Sequence, residues 1–528
     1  MILSMESGCI RQTALPHTSK LFADLVYDFS RVARFYAHPP LGDHSLRAAA
    51  AEVEYPAQRR ALVVDALARQ NPGHPLLEEL ARPDAVAVLT GQQVSLFGGP
   101  AYSIYKALTA VKTARQLASL GIPAVPIFWL ATEDHDFAEV SHAWVFDAGQ
   151  NPLKLEVTGG WMGQPVGGVE LAEPPVGALR DALRELPFGD EVSDLVAAAY
   201  PPGRSMGEAF TVLLRRLLGD YGVLTLDPLQ PEIRSLAAPM LAEAARRVPD
   251  LVAGLIARNR ELAEAGYHAQ VHVEADASLL FLLDRGRRRP LRYRQDRFFA
   301  GDQAFTAEEL TARAAQLSPN ALLRPVIQDH LLPTAAYIGG PAELAYMAQS
   351  ETLYRALLGR MPVIAPRAAF TLLDARAAKL TARYGLGLED CFAGLDALGE
   401  GIAHALTPPE LKAGFKTAAS TASRAVDQLR AQLLRFDPTL AKALDRGRAK
   451  ILYQLSKIER KAARETLRRD QRAARETSHV FNLLYPHKHL QERFYTILPF
   501  LARHGLDLIG RVYENVRLDS ADHRVLAI

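Results

Sequence analysis

The chain has 528 residues, 49% hydrophobic and 23% charged, a globular balance that excludes collagen-like, mucin-like and wholly disordered classes. Sixty-one Lys and Arg against fifty-nine Asp and Glu leave a net +2, so no global basic field points to nucleic acid. Two cysteines, Cys9 and Cys391, make neither a disulfide framework nor a CxxC metal site, and they fit a reducing cytoplasm.

The N-terminal MILSMESGCI lacks a basic segment and a useful apolar run, so no signal peptide is expected. The most apolar stretch, 123–131, holds about nine residues where a membrane helix needs about twenty, so no membrane contact is expected. Residues 85–89, bounded by Pro83 and Gly91, read as a buried strand. The turn Gly98-Gly99-Pro100 leads into a helix over 102–120, with Ile104, Leu108, Val111, Ala114 and Leu117 at helical spacing. Gly121 and Pro123 end it, and 125–131 is a second apolar strand. Strand, helix and strand form a βαβ unit with parallel, buried strands. A short helix at 210–218 and strands at 223–226 and 361–365 fit the same sheet. Residues 271–300 carry strand-like runs at 271–273, 279–283 and 291–294, an antiparallel meander inserted into the α/β domain.

Near residue 370 the pattern becomes almost purely helical. Leu411, Phe415, Ala418, Ala422, Ala425 and Leu429 form a heptad seam. Phe436-Asp437-Pro438 breaks it, and Leu440, Leu444, Ile451, Leu455 and Ile458 resume one. An antiparallel hairpin or coiled coil follows, either packed on the core as a bundle or projecting as a dimerising arm. Residues 441–480 hold twelve Lys and Arg and five Asp and Glu, a local +7. A solvated coiled-coil face explains it more simply than nucleic acid does.

In an open parallel sheet, ligands bind beyond the carboxyl ends of the strands. That rule selects Thr90-Gly91-Gln92-Gln93 and Thr132-Glu133-Asp134-His135-Asp136, which should face one cleft. Gly91 lets a ligand approach the backbone, and the two amides suit a sugar, a carboxylate or a phosphate. The plainer role for a glutamine there is to satisfy loop backbone. Three carboxylates and an imidazole at 133–136 must be paired, protonated or ligand-bound. His135 with one aspartate could do acid–base work on an amine or hydroxyl. Mg²⁺ is a further reading, but adjacent side chains point different ways, and no metal ligand is assigned. The competing role is a helix N-cap by Asp134 or Asp136. Tyr102, Tyr105 and Lys106 start the first helix, a position that favours anions, although the glycines match neither GxGxxG nor the P-loop. Arg324, Gln328, Thr334, Tyr337, Gly339-Gly340, Glu343 and Tyr346 read as a second wall of the cleft or as a loop and helix cap. Seven arginines within 285–297 read as a solvated hairpin.

Several segments together resemble the bacillithiol biosynthesis cysteine-adding enzyme family. They are Val88-Leu89-Thr90-Gly91-Gln92-Gln93, Gly99-Pro100, Tyr105-Lys106, Phe128-Trp129 and Glu133-Asp134-His135-Asp136-Phe137. Arg324-Pro325 with Gln328, Pro333-Thr334, Gly340-Pro341 with Glu343 and Tyr346, and Pro366-Arg367 follow. Leu484-Tyr485-Pro486 and Leu490-Gln491-Glu492-Arg493 complete the set, which spans essentially the whole chain. The resemblance implies an α/β fold: a Rossmann-like parallel-sheet core with inserted connecting segments, and a coiled-coil arm supporting a homodimer. On it, 1–375 is the core with the meander near 268–305, 376–480 is the arm, and 481–528 is a helical segment packing back near the core.

The implied function is a cytoplasmic cysteine ligase. It would join the cysteine carboxyl to the amine of glucosaminyl-malate and so complete bacillithiol. Thr90, Gly91, Gln92, Gln93, Tyr102, Lys106, Glu133, Arg324, Gln328, Tyr337, Gly340 and Glu343 would bind substrate. Asp134, His135 and Asp136 would be catalytic, with His135 or Asp134 assisting proton removal from the amine. Amide formation from a free carboxylate is uphill, so activation by ATP or another nucleotide is expected. The core resembles nucleotidyltransferases and class I aminoacyl-tRNA synthetases in outline. Their HxGH signature is absent, however, and no KMSKS-like loop is found, which leaves a cysteinyl-adenylate open. Gln491 and Arg493 are candidates for a nucleotide pocket near the arm, with pairing on a helix surface as the simpler role. The competing classes are a coiled-coil structural or nucleic-acid-associated protein and a nucleotidyltransferase of another substrate.

Overall fold

The computed structural model describes residues 8–159 and 163–528, so the expectation about a signal peptide falls, over residues 1–7, outside the described residues. The chain divides into two compact units. The first runs up to Ala148 and adds Pro152–Thr371 and Glu492–Leu526; the second holds Gly149–Asn151, Leu372–Gln491 and Ala527–Ile528.

In the first unit, β1 (Val86–Gln92) passes through α1 (Tyr102–Ser119) to β2 (Ala124–Leu130), and β3 (Leu224–Leu226) follows after a long excursion. Next come β4 (Ala277–Asp284), β5 (Arg287–Arg294), β6 (Arg297–Ala300), β7 (Gln303–Phe305) and β8 (Leu317–Pro319). The chain then returns through α2 (Arg324–Leu331), β9 (Thr334–Gly339), α3 (Pro341–Leu357) and β10 (Val363–Pro366). The main sheet is wholly parallel in the order β10-β9-β1-β2-β3. Every residue of β2 and β9 is buried. Sheets covered on both faces read as unbroken apolar runs, which is why β1 and β2 stand out in the sequence. Each buried Val, Leu or Ile there contributes about 1.5–3 kcal/mol.

The order reverses at β1: the chain first builds outward through β2 and β3, then returns to add β9 and β10 on the other flank. The crevice beyond the carboxyl ends of β1 and β9 is therefore the topological switch point, where such sheets bind ligands. A tight turn delivers the chain from β1 to α1. Phe97, Gly98 and Gly99 all have positive φ, at 53°, 85° and 67°. The left-handed Phe97 costs about 1–2 kcal/mol and is held by burial of its ring, edge-on to Tyr200 at 5.1 Å.

Two strand assignments are corrected. The segment read as loop and cap before Gly340 is the central strand β9, paired with β1 through Tyr337↔Leu89 and Ile338↔Thr90. Residues 271–273 are not a strand. The backbone of Val271 is satisfied by one side chain, Gln349, which accepts from its N–H at 2.9 Å and donates to its carbonyl at 2.7 Å. The meander itself is a five-stranded antiparallel sheet in the order β7-β6-β5-β4-β8.

The second unit is helical. Its long elements are α4 (Pro409–Phe436) and α5 (Pro438–Arg469), with the Asp437 side chain capping α5 through the N–H of Thr439 at 2.8 Å. Ion pairs Arg430–Asp445 and Arg448–Asp427, both 3.0 Å, fix an antiparallel register. The seam between them differs from the heptad expectation. Val426, Ala441 and Ala463 are buried, with Phe415 and Ala422 half-buried. Leu411, Ala418, Ala425, Leu429, Ile451 and Ile458 are exposed. Leu444 and Leu455 of the expected seam are half-buried as well, and Leu440 is exposed. Several of the arm's arginines are paired with acids on their own unit, among them Arg464 with Glu400, Arg468 with Glu465 and Arg472 with Glu476.

A Cβ on Gly91 would sit 2.8 Å from the Trp129 carbonyl oxygen and 3.0 Å from its Cβ across the β1–β2 ladder. Gly91→Ala is expected to lower unfolding free energy by about 1–3 kcal/mol in a urea titration. Gly340→Ala, whose Cβ meets nothing nearer than 3.5 Å, lacks that clash and should cost only the N-cap preference of Gly over Ala, about 1 kcal/mol or less.

Candidate functional site

At the switch point, Lys106 on the first turns of α1 points back under the end of β1. Its ammonium donates to the Gly91 carbonyl at 2.8 Å and the Gln92 Oε1 at 2.9 Å, and it pairs with Glu343 Oε2 at 2.5 Å. Its side chain is 2% exposed. Glu343 is itself fixed: Oε2 accepts from the Gly340 N–H and Oε1 from the Tyr337 hydroxyl, both at 2.8 Å. It thereby satisfies the free N–H of the N-cap residue of α3. Burial works to raise the Glu343 carboxyl, but Lys106 and these donors outweigh it and hold the group below its ordinary value.

Around this pair lies a cavity of about 390 Å³, the size of a small-metabolite site. Gly91, Gln92 and Gln93 line it from β1, Tyr102 and Lys106 from α1, and Trp129 and Ala131 from the end of β2. Arg324 and Gln328 of α2 and Tyr337, Gly340 and Glu343 from the β9–α3 junction close the opposite wall. Arg367 also lines the cavity, held by a bidentate pair with Glu492 at 2.7 and 3.0 Å. Both side chains of that pair are almost fully buried, and Glu492 also accepts from the Phe370 N–H at 2.9 Å. Three cations surround the Tyr102 ring: Arg367 at 5.1 Å and Lys106 and Arg493 at 5.9 Å from its centroid.

Some lining groups have no internal partner. Arg324 donates to the Tyr346 hydroxyl at 3.1 Å but forms no ion pair among the described residues. Among the described residues the buried Gln328 Oε1 and Trp129 Nε1 have no hydrogen-bond partner. Such atoms cost about 1–3 kcal/mol each when unmet. The Arg324 guanidinium is thus a lining cation with no paired acid, and the other two are buried polar atoms of lining residues.

The acidic loop after β2 resolves its crowding by sending each group a different way. Asp134 lines the cavity, accepting from Gln93 Nε2 at 2.7 Å and from the His135 N–H at 2.8 Å. Burial pushes its carboxyl up, but Gln93, the His135 amide and Arg288 bring it below its ordinary value, so it is ionised. Glu133 is spent on Arg234 at 2.8 Å, away from the cavity lining. Asp136 caps the short helix Phe137–Val140 through the Glu139 N–H at 3.2 Å, which replaces its catalytic reading with a structural one. His135 lies behind Asp134, its Nδ1 3.2 Å from Arg288 Nη1 and its ring 5.4 Å from Phe281. Burial and then the Arg288 charge lower its pKa, so the imidazole is neutral.

The cavity thus gathers Gly91, Gln92, Gln93, Tyr102, Lys106, Asp134, Arg324, Gln328, Tyr337, Gly340, Glu343 and Arg493. Thr90 faces away and donates to the Ile338 carbonyl at 2.8 Å. Gln491 belongs to the second unit, where its amide is consumed by the Leu372 backbone and the Leu483 carbonyl. Arg367 was open to discovery by the strand-end rule, since it follows β10. Arg288 was not: it is one of seven arginines in its run, and only its 10% side-chain exposure, and its contacts with Asp134 and His135, set it apart. Among the described residues, no three His, Cys, Asp or Glu side chains gather as a metal-ligand group. No helix there is long and apolar enough to cross a membrane.

Comparison with known proteins matches this chain to a family. Residues 5–368 match the model of the bacillithiol biosynthesis BshC N-terminal Rossmann-like domain, and 370–528 match the BshC C-terminal coiled-coil domain. A Solibacter usitatus protein named "Putative cysteine ligase BshC" is 54% identical over 99% of this chain and all of its own length. Proteins of the same name from Koribacter versatilis and Salinibacter ruber are 37% and 32% identical, covering 99% and 96% of this chain and 100% and 96% of their own.

A carboxyl with a depressed pKa adds stability above its ordinary value of 4.5 and loses it as pH falls through the folded value. Glu343→Gln should therefore make the acid-side loss of stability shallower. At pH 7 it should cost about 3 kcal/mol by stranding the Lys106 ammonium. Urea unfolding of both proteins at pH 7, 5 and 4 reads both effects.

Proposed function

The chain belongs to the bacillithiol biosynthesis BshC family, and from that premise we propose that it is a cysteine ligase, joining the cysteine carboxyl to the amine of glucosaminyl-malate in the cytoplasm. The observation that carries the reading is the set of unmet groups at the switch point. Arg324 offers charge to a malate carboxylate, with Arg493 at the opposite wall. Gln328 Oε1 and Trp129 Nε1 offer one acceptor and one donor to sugar hydroxyls. Gln92 and Gln93 hold the same wall in place.

Asp134 is an ionised carboxylate of the lining that, unlike Glu343, is not paired with Lys106, and it is placed to hold the sugar ammonium and take its proton as the C–N bond forms. Neutral His135 and Arg288 act through Asp134: they fix its orientation from behind. The cysteine carboxyl must lose an oxygen in the same overall reaction, which is uphill in water, so ATP or another nucleotide is proposed as the activating co-substrate. The glycines offer no phosphate loop, since Gly91 is packed against Trp129. The nucleotide is therefore assigned no residue beyond Arg493, the exposed cation at the cavity.

We further propose that the arm forms a homodimer. Leu411, Leu429, Ile451 and Ile458 are 41–53% exposed on a hairpin whose own seam lies elsewhere. Apolar side chains grouped on a surface mark interaction sites.

With purified chain, cysteine, glucosaminyl-malate and ATP, amide product should form together with ADP or pyrophosphate; absence of product with ATP and with GTP, CTP or UTP in its place would refute the ligase. Asp134→Asn should lower kcat by about 100-fold or more. Arg324→Gln should raise KM for glucosaminyl-malate by about tenfold or more and leave KM for cysteine nearly unchanged. The double change Ile451→Glu, Ile458→Glu should shift sedimentation from dimer to monomer, and an unchanged dimer would remove the arm from the interface.

A further inference from the structure

A second cavity, of about 410 Å³, opens beyond the carboxyl end of β3 and shares no lining residue with the first. It lies between the helices Ala57–Gln70 and Met206–Leu218, with Gln70, Thr211, Arg215 and Asp227 among its walls. The two cavities meet the end of β2 on alternate residues, Leu130 here and Trp129 and Ala131 there.

The charges around it are unevenly matched. Glu232 is paired with Arg69 at 2.5 Å. The Asp227 carboxylate accepts from the Thr132 hydroxyl, the Leu229 N–H at 2.9 Å and Gln230 Nε2 at 3.2 Å. Glu208 accepts from the Ser205 N–H in a capping box. Arg215 alone has no acid: its Nη2 donates only to neutral acceptors, the Gln70 carbonyl, Asn71 Oδ1 at 3.1 Å and Thr225 Oγ1 at 2.6 Å. Among the described residues no carboxylate pairs with it, and burial alone shifts its guanidinium, downward. Beside it the Gln70 side chain is pinned by accepting from the Asp227 N–H at 2.7 Å, which leaves its buried Nε2 with no partner.

We propose that this cavity is a second small-molecule site, taking a carboxylate or phosphate group on the guanidinium of Arg215. The carboxylates around it are already satisfied, so the uncompensated charge is that one cation. Carboxylate and phosphate oxygens are the acceptors that suit it, and charge-assisted bonds of this kind are the strong ones.

The test is calorimetric titration of the full chain with inorganic phosphate and, separately, with L-malate. At least one probe should bind with a component that Arg215→Gln weakens by about tenfold or more and that Arg324→Gln, in the first cavity, leaves in place. Gln70→Glu keeps the acceptor for the Asp227 N–H but supplies an internal carboxylate to Arg215. It should abolish the same component, and it serves as the folded comparison if Arg215→Gln fails to fold. Phosphate alone, malate alone or both may carry the effect; these results assign the site to phosphoryl compounds, to carboxylates or to either. Absence of binding by both probes would overturn the proposal. So would a component indifferent to the changes at Arg215 and Gln70, or one lost in Arg324→Gln instead.

Discussion

One buried ammonium organises the site. Lys106 joins the carbonyl of Gly91 at the end of β1 to the carboxylate of Glu343 on α3, and so ties together the two flanks of the switch point. An unpaired charge at that depth would be very costly, so the strand end, the start of α3 at Gly340 and the first turns of α1 must assemble together. The pair has a second consequence. Glu343 is bonded to Lys106, Tyr337 and the Gly340 N–H and makes no direct ion pair with Arg324 among the described residues, although its charge is felt there. The guanidinium is thereby left for a ligand.

The same accounting runs through the first unit. Glu133 goes to Arg234, Glu492 to Arg367, and Asp136 to a helix cap. Native interiors leave few polar atoms unmet, which gives meaning to the exceptions. Gln328 Oε1 and Trp129 Nε1 border one cavity, and Gln70 Nε2 and uncompensated Arg215 border another. Both cavities sit at carboxyl ends of parallel strands, where backbone and loop geometry leave room for ligands.

The arm shows how far periodicity carries. A heptad pattern correctly announces two long helices broken at Asp437-Pro438. It does not say which apolar positions are buried. Val426, Ala441 and Ala463 are, and the more conspicuous Leu411, Leu429, Ile451 and Ile458 remain exposed. Ion pairs such as Arg430–Asp445 decide the register, and charge pairs at that spacing are scattered too widely along the helices to be read in advance. The local +7 of the arm likewise loses much of its suggestion of nucleic acid, because arginine after arginine is answered by an acid nearby.

Composition excluded a global basic field and a disulfide framework from the outset, and local pattern decided more. Unbroken apolar runs announced β1 and β2, because strands buried on both faces admit few polar residues. The strand-end rule then pointed to Gly91, Gln92, Gln93 and Asp134, all of which line the cavity. What the sequence could not decide is direction. Glu133, Asp134, His135 and Asp136 are equivalent as a string, yet one faces the cavity, one an arginine, one the meander and one a helix end. Arg288 was hidden among its neighbours, and the short, Ala-rich β9 among turn signals. Their roles come from contacts with residues far away in the chain, Arg288 with Asp134 and β9 with β1, and only the tertiary structure sets those distances.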